Sequence, residues 1–395
     1  MEEIEVVIVG GARTPIGDFL GSLKDVSAVD LGIIAVRGAL SKAGVEANLV
    51  EDIVAGMVYK AGAKGNPARQ IQLAVGIPVE AAATTVDQQC ASAMRALEIA
   101  SQQILLGKSN ISVAVGIESM SRAPHLVLNS RQGIKLGAET MQDHLTYDAL
   151  IDAFTGEHMG VTAENLAEKY NITREEQDEM AYLSHTRAVE AIKNGRFKDE
   201  IVPVEIKTRK GSTFVEVDEH PRADISLVGL SKLKPPFKQN GTVTAGNASG
   251  LNDGAAALVL MSASKAKELG LKPLAKLLAT ASFGVAPEIM GIGPAYAIPK
   301  ALNYANLKLS DVDYFEINEA FAAQFLAVNK ELKLDLEKVN ANGSGIALGH
   351  PVGSTGVRII VTMLNEMKRR GGKYGVASLC VGGGPAMATV IEMLP

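Results

Sequence analysis

The chain carries two cysteines, Cys90 and Cys380, far apart in sequence, and six histidines, one of them inside an unusually glycine-dense run. The segment Asp87-Gln88-Gln89-Cys90-Ala91-Ser92-Ala93-Met94 reads as a polar turn entering a helix, which sets Cys90 at or near the helix N-terminus. Unpaired N–H groups and the helix dipole favour a thiolate there, so the position predicts a lowered thiol pKa and a nucleophile. Ala91, Ser92 and Ala93 are small and leave room for a substrate beside the sulfur. A buried, inert cysteine fits the same residues, and position alone leaves both readings open.

A second run, Asn342-Gly343-Ser344-Gly345-Ile346-Ala347-Leu348-Gly349-His350-Pro351-Val352-Gly353-Ser354-Thr355-Gly356-Val357-Arg358, leads into an apolar helix. Its glycines allow a tight backbone that would project His350 into a cleft, either as a base or as a structural imidazole. The spacing of Gly343, Gly345 and Gly349 misses the dinucleotide fingerprint by one residue, and no strand immediately precedes it. A third run, Ser378-Leu379-Cys380-Val381-Gly382-Gly383-Gly384, ends a strand in glycines whose N–H groups are free to face a ligand oxygen, as an oxyanion hole requires. A fourth, Glu316-Ile317-Asn318-Glu319-Ala320-Phe321-Ala322, turns from strand to helix, and Asn318 there could hold a water or a carbonyl.

The elements that must position these runs alternate, which predicts an α/β fold. Val6 to Val9 reads as a buried strand, Ser27 to Gly44 as an amphipathic helix, Ile53 to Val58 as a strand, Met94 to Leu106 as a helix and Ile111 to Val115 as a strand. The order returns near the C-terminus. Gly107 to Gly116 overlays Gly371 to Cys380, and Ala43 to Gly56 overlays Ala305 to Asn318, at a shared offset of roughly 260 residues, as an internal duplication predicts. Under it, Cys90 and His350 lie in loops leading into equivalent helices. Between the halves lies a stretch of different texture, with an acidic helix from Thr173 to Asn194 and a polar run from Lys207 to Asn240. The expected organisation is a core half over residues 1–118, an inserted loop domain over 119–249 that caps the site, a return segment over 250–270 and a second core half over 271–395.

Bulk properties narrow the function. At 395 residues, 47% hydrophobic and 21% charged, the chain is long enough for more than one core. A net charge of −5 gives no field to draw in nucleic acid or an anionic membrane. No apolar run reaches the roughly 18 residues that span a bilayer, and the acidic start Met1-Glu2-Glu3 is unlike a signal or transit peptide. Two distant cysteines without Cys-x-x-Cys or paired-histidine spacing predict neither a disulfide nor a zinc site, and a cytoplasmic protein with no metal.

These runs, with Ala12-Arg13-Thr14-Pro15-Ile16-Gly17 and Thr244-Ala245-Gly246-Asn247-Ala248-Ser249-Gly250-Leu251-Asn252-Asp253-Gly254, resemble the signature blocks of thiolases, in family order from end to end. The resemblance implies two βαβαβαββ halves packed as a layered α/β/α/β/α core with an inserted loop domain. It also implies ping-pong acyl transfer between coenzyme A thioesters without a cofactor. His350 would take the proton of Cys90, the acyl-Cys90 intermediate would form, and Cys380 would take the α-proton of a second thioester. His350 with a water on Asn318 would hold the enolate oxygen, and the N–H groups of Cys90 and Gly382 the tetrahedral oxyanion. By the same resemblance Ala245, Gly246 and Ser249 would meet the pantetheine arm. Arg222, with Lys232, Lys234 and Lys238 nearby in sequence, would lie near the nucleotide end. Leu150, His158, Met159 and Met290 would wall the acyl pocket with Phe321, and Phe237 and Ala320 complete the substrate surface.

The His158-Met159-Gly160 and Pro287-Glu288-Ile289-Met290-Gly291 runs are similar to the acetoacetyl-forming branch. That favours two acetyl-CoA giving acetoacetyl-CoA plus CoA over a broader-chain 3-ketoacyl-CoA thiolase. Two rivals stand beside these: a decarboxylating 3-oxoacyl synthase, against which Cys380 argues, and a coenzyme A-binding scaffold. The family implies dimers or dimers of dimers, and the loop from Arg131 to Met141 points to a homotetramer. Two departures from the pattern, Ala93 in place of glycine and Pro385-Ala386 after the glycine run, predict a narrowed or reshaped cleft.

Overall fold

The computed structural model describes residues 4–209 and 211–395; the acidic triplet Met1-Glu2-Glu3 and Lys210 lie outside them. In chain order the first half runs β1 (Val6–Arg13), β2 (Gly17–Asp18), α1 (Ala28–Ala43), β3 (Asp52–Gly56), α2 (Pro67–Val75), β4 (Ala82–Val86), α3 (Ser92–Leu105) and β5 (Ile111–Ser119). The intervening stretch carries β6 (His125–Leu126), β7 (Gln142–Asp143), α4 (Met159–Lys169), α5 (Arg174–Lys193), β8 (Val204–Thr208), β9 (Gly211–Val215) and α6 (Leu227–Ser231). The chain returns as β10 (Asn252–Ser262) and α7 (Ala263–Glu268). It ends with β11 (Ala275–Gly284), α8 (Pro294–Tyr304), β12 (Tyr314–Ile317), α9 (Ala322–Leu332), α10 (Gly345–Leu348), α11 (Thr355–Arg370), β13 (Tyr374–Cys380) and β14 (Pro385–Met393).

The strands follow the duplication. In one half the order is β4-β3-β5-β10-β1, with β4, β3 and β5 parallel and β10 and β1 antiparallel to their neighbours. In the other it is β12-β13-β14-β11, again parallel and then antiparallel. The counterpart of β4 is reduced to a parallel bridge between Phe315 and Val339. The two halves meet where Val7 and Ile8 pair with Lys276 and Ala275.

Period-two alternation divides the buried residues into layers. Val7 and Val9 of β1, with Ile53, Val113 and Val259, pack outward against α1 and α2. Val6 and Ile8 of the same strand, with Ala114 and Leu258, face inward. On the other sheet half Val376, Ala388 and Val390 pack against α8 and α9, while Ala377, Leu379 and Met387 face inward. Helices α3 and α11 fill the space between the inner faces, which gives an α/β/α/β/α stack with those two helices at its centre. Their starts cross closely. A Cβ on Gly116 of β5 would sit 2.5 Å from Ala93 Cβ and 2.7 Å from Ser354 Cα, and one on Gly356 would sit 2.5 Å from Met94 N.

The intervening stretch is locked to the core through Arg13. Its guanidinium is fully buried, bonding Glu200 at 2.6 Å and Asp218 at 2.7 and 2.9 Å. Among the described residues, no helix is long and apolar enough to cross a membrane.

Candidate active site

Cys90 occupies the turn between β4 and α3. The turn passes through Gln89 at φ 47°, a left-handed conformation costly for a residue with a side chain and typical of functional sites. It is held by Ala91 N donating to Gln88 O at 3.0 Å, and by Ser92 Oγ, which accepts from Gln88 N at 2.9 Å. Cys90 is partly exposed, and its sulfur accepts hydrogen bonds from the backbone N–H of Gly382 and from its own. The predicted lowering of the thiol pKa is overturned. Burial pushes the Cys90 thiol up to about 11, the two backbone donors offset this only in part, and Asp87 and Glu118 add to the rise. The helix start is too weak a field to hold a thiolate in an apolar wall of Val58, Tyr59, Leu145 and Val352.

Cys380 closes β13, buried against Met159, Met290, Ala320 and Phe321. Burial, then the nearby Cys90 sulfur, pushes its thiol far above the ordinary range. The structure therefore brings the two distant thiols together, both protonated at rest.

His350 is buried at the turn before α11. Its backbone N–H donates to Asn252 Oδ1 at 2.9 Å. Nδ1 lies 2.7 Å from Thr355 Oγ1, whose own proton goes to Pro351 O at 3.1 Å. Thr355 must then accept from Nδ1–H, which leaves Nε2 as the unprotonated nitrogen. Nε2 lies 3.4 Å from Asn318 Nδ2. Burial, then Arg358, hold the imidazole down to about 3, so it is neutral with a free lone pair. Asn318 is anchored by its N–H on Ser378 O at 2.9 Å. Val352, two residues beyond His350, packs in the same apolar cluster as Cys90.

The remaining sequence-predicted residues fall into two groups. His158 caps α4 by accepting from Gly160 N at 3.0 Å and stacks on Phe237 at 4.6 Å between ring centroids; Phe237 meets Phe321 edge-on at 6.5 Å. Ser249 N–H donates to Ala320 O at 2.9 Å, and Leu150 packs beside Cys90. Leu150 thus shares a cluster with Cys90, and Ala320 and Phe321 share one with Cys380. Arg222, Ala245 and Gly246 instead line a separate cavity of about 230 Å³. Lys238 is ion-paired with Glu168, and Lys232 and Lys234 do not line that cavity.

Sequence reasoning missed His185 and His220 on the same cavity, where Arg222 N–H donates to His185 Nδ1 at 3.1 Å and His220 pairs with Asp18 at 2.5 Å. It also missed Glu118, buried at the end of β5, which accepts from Val58 N, Tyr59 N and Gly353 N at 2.9–3.2 Å. Neither residue type nor spacing marks any of these; only the fold assembles them.

The two added methyl groups, of Ala93 and Ala386, are fully buried. The Ala93 methyl points at Gly116, which has no side chain to meet it, and the Ala386 methyl lies where a Cβ on Gly293 would be 2.5 Å away. Both are absorbed in packing beneath the site. Pro385 opens β14 opposite Gly284, where a strand tolerates a missing donor.

A duplicated sheet that carries a thiol, a neutral imidazole and a second thiol at its loop ends defines a cysteine-dependent acyl-transfer enzyme. The chain belongs to the thiolase family: residues 6–264 match the thiolase N-terminal domain and residues 271–393 the thiolase C-terminal domain. It is 50% identical to an acetyl-CoA acetyltransferase of Chromobacterium violaceum, over 98% of this chain and 100% of that one. The structure of an acetyl-CoA acetyltransferase from Syntrophomonas wolfei superposes with a TM-score of 0.98 at 52% identity, covering 100% of both chains. The human mitochondrial 3-ketoacyl-CoA thiolase superposes with a TM-score of 0.97 at 43% identity, also over 100% of both.

Proposed function

We propose that the protein is an acetyl-CoA acetyltransferase that condenses two acetyl-CoA into acetoacetyl-CoA and CoA, and runs the thiolytic reverse. What supports this reading is the nearness of Cys380 to Cys90, the packing of Val352, two residues beyond His350, in the Cys90 cluster, and the His350–Asn318 contact, with both thiols protonated and the imidazole neutral.

Those protonation states dictate the steps. A thiol near 11 and an imidazole near 3 form no ion pair at rest, so the Cys90 proton would pass to His350 Nε2 as the S–C bond forms. The tetrahedral oxygen is held by the N–H groups of Cys90 and Gly382, and losing one such donor costs about 2.7–4 kcal/mol. Cys380 gives its proton to the departing CoA sulfur and becomes the thiolate. That thiolate takes the α-proton of a second acetyl-CoA. His350, now carrying a proton on Nε2, and a water on Asn318 stabilise the enolate oxygen. The enolate carbon attacks acetyl-Cys90, the Cys90 sulfur leaves and recovers its proton from His350, and both thiols are restored. The scheme balances with coenzyme A thioesters alone and calls for no cofactor.

Support for the coenzyme path comes from Ser249, Met290 and Phe321 near the thiols, and from the Arg222 cavity beyond them. A cytoplasmic location fits two free cysteines. A homotetramer fits Leu128, Ile134, Leu136 and Met141, apolar side chains exposed on one loop region. The decisive test is the intact mass of the protein mixed with acetyl-CoA, beside Cys90→Ser. Wild type gains one acetyl group, the variant gains none, and thiolysis of acetoacetyl-CoA falls about 10⁴-fold or more. Normal turnover in the variant ends the proposal.

A further inference from the structure

One buried charge takes no part in the scheme above. Arg358, on α11, is 1% exposed, and its guanidinium nitrogens meet no hydrogen-bond partner among the described residues. Burying a cation is strongly unfavourable unless an opposite charge and acceptors answer it. Arg13 already engages Asp218 and Glu200, and Thr362 Oγ1 donates to the same Glu200 oxygen at 3.0 Å. The carboxyl left for Arg358 is Glu316, whose charge does most to offset the effect of burial on the guanidinium. Glu316 Oε1 accepts from Tyr314 OH at 2.7 Å, while Oε2 meets no partner among the described residues. The two groups are within electrostatic reach, yet no direct bond joins them.

They lie on two rows that face each other. On β12, period two puts Tyr314, Glu316 and the next residue in step, Asn318, on the side turned to α11, while Phe315 and Ile317 pack outward. On α11, Ser354, Arg358, Thr362 and Glu366 follow at intervals of four, all buried. At one end of the rows Asn318 Nδ2 meets His350 Nε2 at 3.4 Å. At the other the Arg370 guanidinium lies 5.2 Å from the centre of the Tyr314 ring. Arg358 and Glu316 form the step between them.

Resting on the acyl-transfer reading above, we propose that Arg358 and Glu316 pair through buried water and act as the positioning unit of the enolate site, holding β12 and the start of α11 at the separation that His350 and Asn318 require. Buried polar groups that other side chains leave unanswered are held by ordered water, which needs two to four partners. The Arg358 nitrogens supply donors, and Glu316 Oε2 and Ser354 Oγ supply acceptors. Glu316 stands two residues before Asn318, and Arg358 one turn beyond Thr355, which fixes the His350 tautomer. Neither touches substrate, so both act through the imidazole and the amide.

The test is steady-state thiolysis of acetoacetyl-CoA by Arg358→Met, Arg358→Lys, Glu316→Gln and the double variant Arg358→Met/Glu316→Gln. Calorimetry on the same full-length proteins gives the Kd for CoA. A misplacement of about 1 Å costs about 10²-fold, so Arg358→Met is expected to lose that much in kcat. KM and the Kd for CoA should change little, because no residue of either row lines the Arg222 cavity. Arg358→Lys restores the charge and should recover most of the rate. The double variant, with no unpaired charge, should be no slower than Arg358→Met, since the two losses share one interaction.

Burial pushes the Glu316 carboxyl up to about 8, against the pull of Arg358 and Tyr314, with Glu200 and Glu319 adding to the rise. Wild type and Glu316→Gln should therefore turn over alike near pH 6, where both side chains are neutral. Near pH 9, where wild type alone sets a charge opposite Arg358, it should be faster by about tenfold. Losses that add, KM rising as kcat falls, or no rescue by lysine would reduce the pair to a packing contact and overturn the proposal. If Arg358→Met does not fold, the isosteric Glu316→Gln decides: equal turnover at both pH values overturns the pairing. A wild type that gains no acetyl group overturns the acyl-transfer reading instead, whereas an active wild type with indifferent variants leaves that reading standing.

Discussion

The two halves of the core share strand order, helix order and layer, yet they finish their loop ends in opposite ways. The strand registers, with Val113 and Val376 both facing outward, set Glu118 opposite Val381 and Ser119 opposite Gly382. Near this end the first half carries a carboxylate that draws in the N–H groups of Val58 and Tyr59, and that of Gly353 from the second half. In the second half the strand end runs into Gly382, which carries no side chain and whose N–H is turned to the Cys90 sulfur. One loop end carries a side-chain acceptor for its neighbours, while the other turns a backbone donor toward the nucleophile. A duplicated scaffold becomes an asymmetric site because a carboxylate acceptor closes one strand end and an N–H donor is presented at the other.

The same asymmetry separates the thiols, and the strongest way to break the comparison is to change one of them. Cys380→Ser removes the second-half base and leaves the Cys90 turn untouched. The acetyl adduct is expected still to form, more slowly because the donor to the departing CoA sulfur is weaker, while condensation and thiolysis fall about 10²- to 10⁴-fold. Loss of the adduct as well would mean that the halves do not divide the labour in this way. Intact mass and steady-state rates, measured on one preparation, separate the outcomes.

A smaller effect is expected at Thr355. Its hydroxyl fixes the tautomer of His350 from the first turn of α11. Its counterpart near the start of α3 orients no imidazole. Thr355→Val keeps the shape and removes the acceptor, leaving Nδ1–H unpaired in a buried place. A fall of about 10- to 100-fold in kcat is expected, with KM for acetoacetyl-CoA little changed and activity recovered in Thr355→Ser. A parallel rise in KM, or no rescue by serine, would reduce Thr355 to a packing residue.

What the sequence could reveal follows from the range of the interactions involved. Helix α1 was legible to the residue: Ser27 accepts from Asp30 N, and Gly44 closes it at φ 64°. Helix α5 was equally so, because Thr173 and Glu176 form a reciprocal capping box. The duplication was legible through its glycines and apolar periodicity, as were the runs bearing Cys90, His350, Asn318 and Cys380. The state of the Cys90 thiol was not. Local sequence displays the helix start that lowers it, but not the burial that raises it, which comes from residues as distant as Leu145 and Val352. His185 and His220 were illegible for the same reason, since Arg222 and Asp18 reach them only through the fold. The missing fifth strand of the second half had no signal either, because one bridge at Val339 does the work of five residues in β4.

The mildest change sharpens the comparison most, because it acts through charge and leaves every catalytic group in place. Burial pushes the Glu118 carboxyl up to about 8, with the three backbone donors pulling the other way. Below that pH it is mostly neutral and has little influence on Cys90. Above it, the carboxylate opposes a second negative charge on the sulfur, one of the contributions that raise the thiol. Glu118→Gln removes this contribution and exchanges one acceptor oxygen for an amide. Alkylation of Cys90 by iodoacetamide is therefore expected to run at similar rates in the two proteins at pH 6, and faster in the variant at pH 9 to 10. The difference should stay below about tenfold, since burial is the larger cause. The sign for stability agrees. A carboxyl raised in the folded state contributes stability below its unfolded value, near 4.5, and loses it as pH rises through 8. Wild type should therefore lose more thermal stability than the variant across that window. A rate ratio that stays flat from pH 6 to 10 would show that the sealed loop end does not reach the open one through its charge, and the two halves would then be coupled by packing alone.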